Sequence, residues 1–573
     1  VPFSADVARV LGLPRRDLAS SWTPGDVAEL EARLRKPAGP CRCAEFARPC
    51  PTRLLPTQAR ALLDAPRACG LLAPIGVGHG KTLVDLLLPM VMGSKTAVLL
   101  IPANLRAQLL ERDWDYYGAH WNLPNLAGGR WFQAGRPALH VLTYSKLSTQ
   151  EGTNLLARIK PDLLICDEAH NLRDRRAART VRFLRYFRQA ENVRLCALSG
   201  TLTSKSIRDY AHLAELALRD GSPLPLHPPT VEEWAGAIDP SDAPADAGAL
   251  RRFCEPDEHV RDGFRRRRNE TPGVVATDES ALGTSLVIRE RKVAIPQALH
   301  AHIATVLEDG VRPDGEELVE RLQQVACARQ LASGFFHRWR YPRGEPLELI
   351  TEWFGRRQTW NRELRQRLQH PREHLDSPGL LLRAALRAYQ EPPYEGELPI
   401  WRAREFKPWH EIHRDVQPVP EAVWLDESVV NDAAAWAREA PGIVWVEFPE
   451  LGERIARAAG APWYGGGPEA SAAIATERGT RSIVASIRAH GTGKNLQTFS
   501  RNLVVNPPAD GGAWEQLLGR THRQGQTADE VTVDIYLHTD ELRRAWNKAR
   551  EYALFIQQTE GQPQKLVLAA WAD

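Results

Sequence analysis

The segment Gly76-Val77-Gly78-His79-Gly80-Lys81-Thr82 directly follows the apolar run from Gly70 to Pro74. A glycine-rich turn between a strand and a helix lets backbone N–H groups converge on phosphate oxygens, and the helix N-terminus adds a favourable field. In such a turn Lys81 would neutralise the β- and γ-phosphates, and Thr82 would set its hydroxyl on Mg²⁺. The full G-x4-G-K-T pattern needs glycine at 75, where the chain has Ile75; Gly76 and Gly78 supply the freedom instead, and Gly80 completes G-K-T. Further on, Asp167-Glu168-Ala169-His170 closes a second apolar run. Asp167 would hold Mg²⁺ through its water shell, while Glu168 would orient and deprotonate an attacking water. Taken alone, Asp-Glu also fits an ordinary helix cap. Downstream of a phosphate loop, the pair predicts hydrolysis of a nucleoside triphosphate.

These residues need rigid elements behind them. From about 52 to 218, short apolar runs alternate with amphipathic helices: Gly70–Pro74, Thr96–Pro102, Leu139–Tyr144, Asp162–Asp167 and Arg194–Ser199. Continuous apolar runs of this length, separated by helices, predict a parallel sheet covered on both faces. Ligands of such sheets bind at the carboxyl ends of the strands, the edge shared by the glycine turn and the acidic pair. Alternation resumes at Gly442–Phe448, Ser482–Ile487, Leu503–Asn506 and Val531–Leu537, predicting a second α/β unit over 425–545. Residues 1–51 read as a small N-terminal accessory segment, 219–424 as a mainly helical insertion, and 546–573 as a tail that continues a helix from Asp540. Helical patterns at Pro296–Leu307 and Glu316–Leu331 mark the insertion.

A chain of 573 residues exceeds one hydrophobic core, and a formal net charge of +3 means that any polyanion must meet a local basic groove. Neither a basic-then-apolar leader nor a membrane-length run occurs, so a cytoplasmic location is expected. The eight cysteines do not form a disulfide pattern. Cys41, Cys43 and Cys50 cluster in a Pro- and Arg-rich stretch, but C-x-C-x6-C lacks the paired C-x2-C spacing of common zinc sites, so thiols without metal are the expectation. Arg265–Arg268 suits either a phosphate backbone or a solvated charge run. Trp339, Trp353, Trp360, Trp401 and Trp409 could stack bases, but fit the core of a helical insert better.

The remaining segments resemble the superfamily-two (DEAH-type) helicases, most closely the Swi/Snf-type DNA translocases, over roughly 52–218 and 425–540. Pro56-Thr57-Gln58 resembles the segment whose glutamine reads adenine. Pro102, Leu105 and Gln108, with Asn104 between them, resemble P-x-x-L-x-x-Q, which grips a nucleic-acid strand; Thr143-Tyr144-Ser145 resembles the next strand-contacting segment. Leu198-Ser199-Gly200-Thr201 is similar to the S-x-T segment that links nucleotide state to movement. His490 to Leu496, with Thr492, Lys494 and Asn495, resembles the glycine loop of the second half. Gln516 to Arg523 fits Q-x-x-G-R-x-x-R, and its continuation Gln524-Gly525-Gln526 is close to the ending of the Swi/Snf branch.

The resemblance implies two RecA-like lobes with ATP and Mg²⁺ between them, Arg520 and Arg523 reaching the phosphates, Gln516 at the nucleotide, and His170 coupling the site to Gln516. It implies ATP-driven translocation on DNA, duplex favoured over single-stranded, with RNA left open and protein partners meeting the 219–424 insertion. Three alternatives stay open: a strand-unwinding helicase, an ATP-gated clamp, and the motor subunit of a larger assembly.

Overall fold

The structure is a computed structural model. It describes the chain apart from residues 1–4, 17–21, 38–42, 44–49, 77, 130–131, 191, 204, 242–243, 278–283, 316–317, 319–320, 370–377, 391–402, 524 and 573, and the side chains of 365, 368 and 369. Cys41, Val77, Trp401 and Gln524 therefore lie outside the described residues.

The chain is mixed α/β, built on two parallel sheets. Strands of the first are β1 (Leu71–Pro74), β2 (Thr96–Ile101), β3 (Asn125–Leu126), β4 (Ala138–Thr143), β5 (Leu163–Cys166) and β6 (Arg194–Ser199). Their spatial order is β1-β6-β5-β2-β4-β3. Alternation along each strand divides two apolar cores: Leu72, Val98, Leu100, Leu164 and Leu195 point to one face, and Leu71, Leu99, Leu163, Ile165 and Leu198 to the other. That two-sided burial is why these runs read as continuously apolar. Between β1 and β2 the chain crosses β6 and β5, so the carboxyl ends of β1, β6 and β5 border one crevice, as expected at a switch in strand order.

The second sheet takes β7 (Ser285–Arg291), β10 (Ile443–Val446), β11 (Trp463–Tyr464), β12 (Ile483–Ser486), β13 (Arg501–Val504), β14 (Glu530–Tyr536) and β15 (Ala570–Ala572), in the order β11-β12-β10-β13-β14-β7-β15. Two of its strands lie outside the span read as the second unit. β7 comes from the middle of the chain and pairs with β14 over seven residues, and β15 comes from the tail. The run Ser285 to Arg291 carries three charged residues and so hides its strand from an apolar-run criterion. Packed on the second sheet, β8 (Phe335–Arg340) and β9 (Val419–Trp424) form an antiparallel ribbon.

The N-terminal segment is integrated with the first sheet. Val7 and Val10 enter one of its cores, and Leu30 and Leu34 the other. In the insertion, Trp353 and Trp360 are buried, Trp360 packing 5.4 Å from Phe406 between ring centroids, so these two rings build a small local core. The arginine run suits neither reading of the sequence. Arg267 and Arg268 are buried, Arg267 donating to the carbonyls of Val10 (2.6 Å) and Leu13 (2.8 Å), and Arg268 pairing with Glu560. Arg266 pairs with Glu258 at 2.8 Å.

Glu560 ends the helix Asp540–Glu560, about 31 Å long by its 21 residues. Trp546, Ala549 and Ala553 of that helix pack in a core of the second sheet, whereas Phe555 and Ile556 pack in a core of the first. One helix thus braces both units. No helix among the described residues is long and apolar enough to cross a membrane.

Candidate active site

The turn after β1 leads into the helix Lys81–Val91, with Gly80 as its N-terminal boundary at φ 70° and Gly78 at φ 95°. Both values lie where glycine alone is free of a Cβ penalty. A Cβ on Gly80 would also meet the Gln58 amide nitrogen at 2.3 Å. Gln58 is buried, its Nε2 donating to the Gly80 carbonyl (3.0 Å) and its Oε1 accepting from the Leu55 N–H (2.8 Å). It braces the turn from beneath. The Gly76 N–H donates to Thr277 Oγ1 at 3.0 Å.

Across the crevice, Glu168 follows β5 with φ 52°, a left-handed conformation that costs a residue with a Cβ about 1–2 kcal/mol. The Asn171 backbone and side-chain nitrogens hold that carbonyl at 3.0 and 2.9 Å. Strain of this kind persists where surroundings fix it, often at a working site. The Glu168 carboxylate lies 3.6 Å from Lys81 Nζ, 3.4 Å from His170 Nδ1 and 3.3 Å from Ser199 Oγ. The Gly200 N–H and Gln516 Nε2 each approach it at 3.5 Å. Lys81 also donates to the Ile75 carbonyl at 3.1 Å. Ser199 lies within 2.9 Å of the Thr201 carbonyl, and the Thr201 N–H donates to Ser199 Oγ at 3.1 Å.

Three carboxyls share this ground and titrate differently. Burial pushes Glu168 up, but Lys81 and His170 outweigh it and hold its carboxyl well below the usual range. Asp167 is raised to about 7 by burial and then by the Glu168 charge. Asp85, one helical turn after Lys81, is buried and raised well above its ordinary value, first by burial and then by Asp167. Its Oδ1 finds no hydrogen-bond partner among the described residues. Of the three, Glu168 is the carboxyl whose charged form is favoured, and it is the one that faces Lys81. Asp85 was not singled out from sequence. Its signal was a charged residue inside the run Leu83–Leu88, at the i+4 spacing that shares a helix face with Lys81. Thr277 left no such signal, since it arrives from a loop 201 positions after Gly76.

From the second sheet, the helix Gly511–Leu518 brings Gln516 onto Glu168, and Gln516 Oε1 in turn accepts from Arg520 Nη2 at 3.2 Å. Arg520 is buried, with Nε on the Gln516 carbonyl (2.7 Å) and Nη1 on the Lys494 carbonyl (3.0 Å); burial and then Arg523 lower it to about 9. Arg523 is half-buried and donates to Asn495 Oδ1. The bridge from Glu168 to the second sheet therefore runs directly through Gln516. His170 is turned to Ser199 Oγ, at 3.0 Å, in place of the expected link to Gln516.

A second bridge joins Asn104 Nδ2 to Thr492, at 3.2 Å to its hydroxyl and 3.3 Å to its carbonyl. Here Gly493, at φ 75°, sits so near Leu105 that a Cβ would lie 2.3 Å from Leu105 Cδ2. The other residues assigned to nucleic acid divide. Thr492 is exposed, and Asn104, Thr143 and Asn495 are half-buried. Tyr144 is buried and its hydroxyl donates to the Asp167 carbonyl at 2.8 Å, so it supports the acidic pair from below. Lys494 is also buried, its ammonium on the Ser471 carbonyl at 2.9 Å. Gln108 donates to Asp113 at 3.0 Å.

No protein-family model matches the chain, and no curated protein matches it. What the site can do is therefore read from its own chemistry. A glycine turn at a helix N-terminus, a lysine held over it and an ionised carboxylate opposite suit a phosphate ester and a water. Residues that could hold Mg²⁺ are Thr82 at the first turn of the helix and Asp167, with the buried, unpartnered Asp85 oxygen close to Asp167.

Proposed function

We propose that the chain is a nucleic-acid-dependent ATPase whose two sheets are RecA-like lobes, and that it couples ATP hydrolysis to translocation on DNA, duplex in preference to single strands. One convergence supports this: a single carboxylate, Glu168, is approached by Lys81 and Ser199 of the first unit and by Gln516 of the second. A group placed to act on water is thereby made sensitive to the separation of the two units.

In this scheme the turn 76–80 and Lys81 receive the phosphates, and Lys81 gives up its contact with Glu168 to do so. Glu168, already ionised, orients the attacking water and accepts its proton. Thr82 and Asp167 would hold Mg²⁺, which when bound would supply neutralisation of phosphate charge. Arg520 fixes the Gln516 amide, and Arg523 is the arginine that stabilises transferring charge. Nucleotide favours the closed arrangement because Arg523 meets the phosphates only there, and hydrolysis removes that differential interaction. Asn104 and Thr492, at the second bridge, contact the nucleic-acid backbone.

The experiment is phosphate release by the purified chain with duplex DNA, single-stranded DNA, RNA or no nucleic acid, at several salt concentrations. Stimulation greatest with duplex DNA and weakening as salt rises is the expected result. Equal rates with and without nucleic acid would end the coupling proposal. A preference for RNA would transfer it to RNA, and absence of turnover in wild type would leave only a clamp.

A further inference from the structure

Cys43 and Cys50 of the N-terminal segment meet His120 of the first unit. Their donor atoms lie within 4.8 Å of one another, with Cys43 Sγ 3.3 Å from His120 Nε2. Cys43 is buried, His120 half-buried and Cys50 exposed, and neither cysteine is in a disulfide. Tetrahedral zinc with bonds of about 2.3 Å to sulfur and 2.0–2.1 Å to nitrogen separates neighbouring donors by roughly 3.5–3.8 Å. The cluster is within a small contraction of that spacing. We infer that Cys43, Cys50 and His120 form a zinc site that fastens the N-terminal segment to the first α/β unit.

The backbone beside His120 and Cys50 is held independently of any ion. The Trp121 indole, fully buried, donates to the Pro51 carbonyl at 2.6 Å, which fixes the neighbours of His120 and Cys50 against each other. The Lys36 N–H donates to the His120 carbonyl (2.9 Å) and the Asn122 N–H to the Leu34 carbonyl (2.7 Å), while Arg35 and Trp121 form an antiparallel bridge. Two stretches 70 or more residues apart are thus in register before the metal arrives. This pre-organisation spares much of the ordering cost that metal binding otherwise bears. The soft pair of thiolates with one imidazole selects zinc over the hard cations Mg²⁺ and Ca²⁺. Cys41, two positions before Cys43, is outside the described residues, and the inference does not depend on it.

The turn at 118–122 also ends the helical run that starts at Ala103 and carries Asn104 and Gln108. Zinc would therefore steady the far end of an element whose near end touches Thr492.

The test uses the full chain, expressed with added zinc and purified without chelator. Metal analysis should find about one equivalent of zinc per chain. Less than about 0.2 equivalents, after reconstitution with zinc alone, overturns the inference. Cobalt in place of zinc should give a thiolate-to-metal charge-transfer band that is lost in Cys50→Ser and His120→Ala. A readout on wild type guards against variants that fail to fold: alkylation mapped by peptide mass spectrometry before and after chelation. Cys50, though exposed, should resist alkylation until zinc is removed, whereas Cys69, exposed and outside the cluster, should react in both states. Equal labelling of Cys50 with and without zinc, or a Cys43–Cys50 disulfide in the non-reduced map, refutes the site.

Discussion

Glu168→Gln separates two properties that a general loss of structure would move together. The carboxylate sits 3.6 Å from the Lys81 ammonium, with side-chain exposures of 14% and 10%. At an effective dielectric constant near 20, that separation corresponds to a gross attraction of about 4–5 kcal/mol. Lys81 must surrender this attraction to reach a phosphate, and the Glu168 charge also repels an incoming triphosphate. Glutamine keeps the size and can keep the contacts with Ser199 and Gln516, but it removes the charge and the base. Most of the gross attraction is returned by hydration and rearrangement. A gain in ATP affinity of about tenfold, ~1.4 kcal/mol, is therefore expected. Turnover should fall by about a hundred- to ten-thousand-fold, the range of a positioned general base. The assay pairs equilibrium ATP binding with steady-state phosphate release on the same preparation. Weaker ATP binding in the variant, or turnover within about threefold of wild type, would refute the assignment of Glu168 as an ionised base restrained by Lys81.

Arg268→Met leaves Glu560 buried and unpaired at the end of the bracing helix, which should cost about 3–5 kcal/mol in urea unfolding; the double variant Arg268→Met/Glu560→Leu should recover most of it, and no recovery would mean the arginine acts by packing. His212 is buried, donates to the Leu172 carbonyl at 3.0 Å, and is lowered to about 4 by burial. Its neutral form is favoured by folding, so its contribution is complete above the ordinary value of about 6.5 and is lost as pH falls through 6.5 towards 4. Lowering the pH across that window should cost wild type about 3 kcal/mol more than His212→Gln, and parallel urea midpoints for the two proteins would count against burial as the cause. Gly493→Ala puts a methyl group where Leu105 now packs, and displacing that side chain off its rotamer costs about 1 kcal/mol, or fivefold, in the closed arrangement. The variant should need more DNA for half-maximal ATPase stimulation, alongside a lower melting temperature from a Cβ at φ 75°; an unchanged DNA requirement would mean that the contact between Leu105 and Gly493 is not made during turnover.

Local pattern made much of the architecture legible. The five apolar runs of the first unit and the four of the second each overlap a strand, because strands covered on both faces need apolar residues at successive positions. β7 was missed because it lies near the sheet edge and carries Arg289, Glu290 and Arg291, whose partners Asp534 and Asp432 are far away in sequence. The arginine run was misjudged for a related reason. Charge is normally a surface signal, and Glu560 and Asn269 for Arg268, with Thr271 and the carbonyls of Val10 and Leu13 for Arg267, make burial of the two tolerable.

By itself the sequence determined the glycine turn, the acidic pair and the apolar strands of the one sheet that carries both, since each depends on residues close together in the chain. Only the tertiary structure decided which charges face each other. It set Asp85 behind Lys81, turned Tyr144 and Lys494 inward, routed the bridge through Gln516, and brought His120 to Cys43 and Cys50. Protonation, ion pairing and metal affinity depend on distance in space and on exclusion of water, and neither is encoded by spacing along the chain.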